Sequence, residues 1–294
     1  IFLQQIINGL VQGSIYALVA LGYTMVYGIM GLINFAHGEV VMIGTLVTIS
    51  VAGFMIKAGM PVMLAGMAGL TAAVLVCMAL GWGLERIAYR PLRNAPRLTP
   101  LITAIGMSIV LQNVAMIIWG RNYLTFPPLL PKVDFEFAGA NFTAVQVIIV
   151  AVSALTMGGL LFLVYRTKLG MAMRATSQNP AVASLMGVNI NRVIAAAFII
   201  GSALGALAGI MVGTYYEIAH YQMGFMLGLK AFTAAVLGGI GNLAGAMLGG
   251  ILLGLIEALG AGYIGDLTGG FLGSHYQDIF AFMVLIVVLM FKPS

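Results

Sequence analysis

Apolar residues run along this chain in long blocks separated by short charged or Pro/Gly-rich breaks. The blocks lie near residues 9–29, 40–56, 62–84, 101–119, 143–165, 193–214, 229–241, 243–260 and 277–291. Blocks of roughly 17–25 residues cross a hydrocarbon layer of about 30 Å as helices, and no alternation of period two points to a barrel. The pattern predicts an all-α fold, a polytopic transmembrane helical bundle of about 8–9 spans, in a single domain covering residues 1–294. The count turns on the seventh block. At about 1.5 Å per residue it reaches only about 20 Å, so it is either a short broken helix or a re-entrant segment.

Composition agrees with a membrane interior. Of 294 residues, 62% are hydrophobic and 7% charged, too little polar surface to cover a water-soluble globule. The net charge of +5 comes from Lys and Arg gathered in loops. That distribution is what orientation in a bilayer requires, and it excludes nucleic-acid binding. Arg86, Arg90, Arg93 and Arg97 mark one inner loop, and Arg166, Lys168, Arg174 and Arg192 mark another. Both face the cytoplasm, which places the N-terminus and the loops around 120–142, 215–228 and 261–276 outside. Cys77, the one cysteine, reads as a small buried side chain.

Two breaks carry polar or backbone chemistry. In "GLINFAHGEV" the connection between the first two blocks holds Asn34, His37 and Glu39. Asn34 is expected to cap the turn. His37 and Glu39 either sit at the cytoplasmic interface or form a polar rim beside a solute pathway, since ionisable groups at membrane depth face protein or water. In "LGGIGNLAG", Gly238, Gly239, Gly241 and Asn242 interrupt an apolar stretch and free backbone groups. Such a break either lines a pathway or makes a tight turn. A proton relay through His37, Glu39 and Glu257 is a further reading, with Glu257 placed toward the outer end of its span.

Gly201, Gly205, Gly209 and Gly213 recur every four residues. That stripe allows close helix approach, within the chain or at a subunit interface. A metal site is not expected: His220 and His275 fall on the outward side and no Cys/His cluster supplies ligands. Phosphate-loop and hydrolase motifs are absent from the sequence. If ATP drives transport, the ATPase is a separate chain.

The inner segment 166–192 contains "NPAVASLMGVN". Asn179 is a helix starter, Pro180 suits the first helical position, and Gly187 is a stop. Between them Val182, Leu185 and Met186 make a short apolar face. It fits a groove on a partner protein or, alternatively, the lipid surface.

Five blocks, "GSIYALVALGYTMVYGIMGLINFAHGEVVMIG", "ERIAYRPLR", "AIGMSIVLQN", "RATSQNPAVASLMGVNINRVIAAAFIIGSALGALAGI" and "KAFTAAVLGGIGNLAGAMLGGILLGLIEAL", occur in order along nearly the whole chain. They resemble the permease subunit of the high-affinity branched-chain amino acid ABC importers. The resemblance implies inward movement of a small hydrophobic amino acid through the bacterial inner membrane, and it favours nine crossings. It implies as partners a second related permease subunit, two cytoplasmic ATPase subunits holding ATP and Mg, and an external substrate-binding protein. No cofactor is expected on this chain. Arg174, Asn179, Ala183, Leu185 and Gly187 match the pattern of the segment that couples to the ATPase. Permeases for urea and short amides share these features, so the solute stays open between them. An ATP-independent channel or carrier is the other alternative.

Overall fold

The first and sixth apolar blocks form the two longest helices, α1 (Phe2–Met30) and α8 (Ile190–Tyr216). They pack antiparallel, Gln12 reaching Tyr216 near the outer side and Gly22 meeting Gly201 further in. The computed structural model describes residues 2–31, 33–96, 98–128, 134–137, 139–221, 223–239, 242–267 and 277–291. Arg97, Lys132, Gly241, His275 and Lys292 lie outside these.

Around this pair stand α2 (His37–Lys57), α3 (Val62–Gly83), α4 (Leu98–Trp119), α5 (Ala144–Arg166), α9 (Met223–Gly238), α10 (Leu243–Leu267) and α11 (Gln277–Phe291). The most apolar stretch of α1 is 78% buried, whereas those of α3, α4 and α5 are 22% buried. The latter three therefore present most of their surface to lipid. Two short helices, α6 (Lys168–Gln178) and α7 (Pro180–Leu185), fill the second basic loop. Arg93 of the first basic loop donates to Asn191 at 2.5 Å, so both basic loops lie on one side, the inner side.

Tertiary contacts correct several boundaries. The stretch after α3 is not a loop: a π-helical turn (Leu84–Tyr89) and a 3-10 turn (Arg90–Leu92) continue it. This continuation buries Tyr89, which donates to Asn34 at 2.7 Å. Two short strand pairs accompany the helical bundle. On the outer side β1 (Leu124–Thr125) pairs antiparallel with β4 (Ile218–Ala219), and β2 (Asp134–Phe137) pairs with β3 (Ala140–Thr143). Helix α10 continues to Leu267, which puts Glu257 in its outer half with ten residues beyond it.

The seventh block is a short helix of 16 residues, spanning about 24 Å. Leu243, just after the turn that follows it, borders a small cavity with Thr24, Met25 and Gly28 near the inner end of α1. Helix α9 thus descends to the inner side. Among the described residues seven helices are long and apolar enough to cross a membrane, and α9 and α11, at 16 and 15 residues, are shorter.

Candidate functional site

Helix α2 does not start at the membrane surface. His37 lies against Gly205, where a side-chain carbon on the glycine would come within 3.2 Å of the imidazole. Gly205 is fifteen residues past the start of α8, about 22 Å along its axis. The connection 31–36 therefore climbs back into the bundle before the helix begins. Asn34 holds that climb: its side-chain oxygen accepts from the Ala36 amide at 3.2 Å and from the Tyr89 hydroxyl.

The burial corrects the surface reading of His37 and Glu39. They are 3% and 1% exposed, so neither is an interfacial turn residue. The His37 ring packs edge-on against Tyr23, centroids 5.1 Å apart. Glu39 Oε1 accepts from Ser108 at 3.0 Å and from Gln112 at 2.8 Å, tying α2 to α4. Its Oε2 is buried with no hydrogen-bond partner among the described residues. Ser108 and Gln112 border a cavity of about 670 Å³ between α4 and α9, with Tyr23, Phe35 and Phe225 also in its wall. Glu39 thus stands one side chain behind a cavity and does not itself form the rim.

The glycine stripe of α8 faces this chain's own helices. Gly201 meets Gly22, Gly205 meets His37 and Val41, Gly209 meets the Val41 carbonyl and Thr45, and Gly213 meets Phe126 and Thr45. Thr45 donates to the Gly209 carbonyl at 2.7 Å, a bond that needs the close approach.

At the second break, Gly238 ends α9 against the Gly245 backbone, and Gly239 takes the left-handed conformation with φ of +91° that a glycine adopts without strain. Asn242 then caps α10, its side chain accepting from the Gly245 amide at 3.2 Å. The described part of this break is a tight turn between two helices, apart from the Asn34 to Glu39 cluster.

A charged pair that inspection of the breaks missed sits on α9 and α10. Lys230 Nζ lies 3.5 Å from Glu257 Oε1, and the Tyr16 hydroxyl donates to Glu257 Oε2 at 2.6 Å. Among the described residues, Glu257 joins Lys230 and Tyr16, whereas Glu39 joins Ser108 and Gln112. The available signal was a lone cation in the apolar run "GFMLGLKAFTAAVLG". Lys230 borders an outer cavity of about 240 Å³ between α1, α8 and α9.

On the inner side the short helix is built as its sequence dictates. Asn179 accepts from the Val182 amide at 3.2 Å, Pro180 occupies the first turn, and Gly187 has φ of +95°. Ala183 is buried, while Leu185 and Met186 are 85% and 80% exposed. Arg174 does not reach outward alone. Its Nε donates to the Val164 carbonyl at 3.1 Å and its guanidinium lies over Tyr165, which fixes α6 beneath α5.

Comparison with known proteins places this geometry. Residues 5–289 match the family described as the branched-chain amino acid transport system / permease component. The chain is 46% identical to the high-affinity branched-chain amino acid transport system permease protein BraD of Pseudomonas aeruginosa, over 100% of this chain and 94% of that protein. It is 44% identical to the LivH permease protein of Escherichia coli, with the same coverage of both chains. Among solved structures, an inward-facing conformation of a metal-chelate type ABC transporter superposes with a TM-score of 0.51 at 16% identity, covering 98% of this chain and 85% of that one. That likeness concerns the fold alone.

Proposed function

We propose, from the premise that the chain belongs to the family of permease components of branched-chain amino acid transport systems, that it carries branched-chain amino acids inward as the membrane-spanning subunit of an ATP-driven importer. It is a multi-pass membrane protein, and in our reading its membrane is the bacterial inner membrane. It works with ATPase and substrate-binding components. The assembly we infer pairs it with a second related permease subunit, two cytoplasmic ATPase subunits that hold ATP and Mg, and an external binding protein. The chain itself hydrolyses nothing and binds no cofactor.

The observation that carries this reading is the apolar tip formed by Leu185 and Met186 on the inner side. Two large side chains held out in water at the end of a capped helix are an unfavourable arrangement unless a partner covers them. A groove on an ATPase subunit covers them in the proposed assembly. Movement of that groove would pass through α6, anchored by Arg174 to α5, and through α8, whose first turn is capped by Asn189. Because α8 touches α1 and α2 along the glycine stripe, tilting it would rock the helices that meet at His37.

The test is leucine uptake into liposomes carrying the chain with its ATPase, permease and binding-protein partners, with and without ATP, for the wild type and Leu185→Asp. Uptake that needs ATP and is lost in a variant that still inserts supports a coupled importer. Uptake indifferent to both sinks that reading and favours a channel or carrier. ATP-dependent uptake of urea in place of leucine keeps the coupling and changes the solute.

A further inference from the structure

Lys230 is the only charged residue of α9, and it sits at the eighth of sixteen positions. A cation buried at that depth costs about 2.5–3.5 kcal/mol even on the more lenient insertion scales, so membrane proteins keep such groups where they face a pathway or a partner charge. Here the partner charge is Glu257, which is fully buried, and the Tyr16 hydroxyl completes its second oxygen. Pinning three helices together does not by itself explain the pair. Well-packed apolar residues do that as well or better than a buried ion pair.

The position of the lysine offers another role. It borders the outer cavity, and the rest of that cavity has a definite chemistry. Ile15, Val212, Met223, Met226 and Leu227 make apolar walls, while Gln12 and Tyr216, hydrogen-bonded to each other at 3.2 Å, supply polar groups nearer the mouth. Mostly apolar walls with a few convergent polar groups are the composition of a small-molecule site. At about 240 Å³ the space lies below the roughly 300–1,000 Å³ of sites for drug-sized ligands, so it suits a smaller solute. Helix α9 also begins here, at Met223, which adds the positive end of its dipole to the same space.

We propose that this outer cavity is a substrate site within the membrane, with Lys230 receiving the carboxylate of an amino acid whose branched side chain lies against Ile15, Met223, Met226 and Leu227. The inference deepens the importer reading and rests on it: it assigns residues to the solute after the external binding protein has released it. The 3.5 Å separation of Lys230 and Glu257 exceeds the 2.7–2.9 Å of a charge-assisted hydrogen bond. The Glu257 carboxylate keeps the lysine charged and aimed when the site is empty, and an arriving carboxylate is a second anionic partner for the ammonium. Methionine walls adapt to side chains of different branching, which fits a carrier of several related amino acids. Urea and short amides have neither a carboxylate for the lysine nor an apolar body for the walls, so the site selects against them.

Two measurements on the reconstituted complex test this. In a Cys77→Ala background, Met223→Cys is labelled with a small water-soluble thiol reagent added outside. Saturating leucine and binding protein should slow labelling at least fivefold. An unchanged labelling rate in vesicles that import leucine normally overturns the site. Vesicles of the wild-type complex that import no leucine at all show instead that the importer reading itself fails. In the second measurement, Lys230→Met should lower leucine imported per ATP hydrolysed at least tenfold, with binding-protein-stimulated hydrolysis within twofold of wild type. Lys230→Arg should hold that ratio within about threefold. A purely structural lysine would lower import and hydrolysis together, and that result, or wild-type import by Lys230→Met, overturns the proposal. Should Lys230→Met not assemble, the labelling result decides alone.

Discussion

Gln112 on α4 donates to Glu39 on α2 across 2.8 Å, and this bond with its companion from Ser108 ties a lipid-facing helix to a buried carboxylate of the bundle. The donors stand four residues apart, one helical turn, so both reach the same carboxylate oxygen. Gln112→Leu should lower thermal stability of the purified complex by about 1–2 kcal/mol, because it leaves the carboxylate with a single donor. A double-mutant cycle with Ser108→Ala should be non-additive, since the two donors share one acceptor. Additive and negligible losses would show that the Glu39 bonds do not hold α4 in place.

The glycine stripe gives a contrast within one protein. A side chain at Gly209 would collide with the Val41 carbonyl and break the Thr45 bond, whereas nothing lies within 4 Å of a side-chain carbon at Gly158. Gly209→Val should abolish accumulation of folded protein in membranes. Gly158→Ala should be neutral or gain up to about 1 kcal/mol from helix propensity. Equal tolerance at both positions, read by detergent-extracted yield and melting temperature, would contradict the close approach of α8 to α2.

Glu85 is fully buried and pairs with two arginines, Arg90 at 2.8 Å and Arg93 at 2.5 Å. Arg93 continues to Asn191 at the start of α8, so the cluster joins the inner ends of α3 and α8. Glu85→Ala should cost about 2 kcal/mol, less than the 3–5 kcal/mol of a fully enclosed pair because the arginines keep contact with water. Thermal unfolding of the complex checks the loss, and an unshifted midpoint would remove this cluster from the account.

Within α7, Ala183 is buried on the inward face, while Leu185 points out. Ala183→Leu should displace α7 without touching its outer face, lowering leucine uptake at least fivefold while insertion and basal ATP hydrolysis stay near wild type. Wild-type uptake would mean that the segment tolerates a shift in height and that its seating does not transmit force.

What the sequence determined by itself is whatever depends on neighbours a few positions away. Long apolar blocks gave the spans because a bilayer leaves the backbone no partner but its own helix. The Asn179–Pro180 start and Gly187 stop gave α7 because capping is settled within four residues. The two basic loops share one side, which the positive-inside pattern reads as the inner one. Tertiary structure decided the rest, because the deciding partners are far apart in the chain. Glu39 finds Ser108 and Gln112 at separations of 69 and 73 residues, and Tyr16 finds Glu257 at 241. For His37 the sequence left an interfacial turn and a pathway rim both open until packing put it beside Gly205. Local pattern sets where a helix can run, but only packing sets how deep in the bundle it begins.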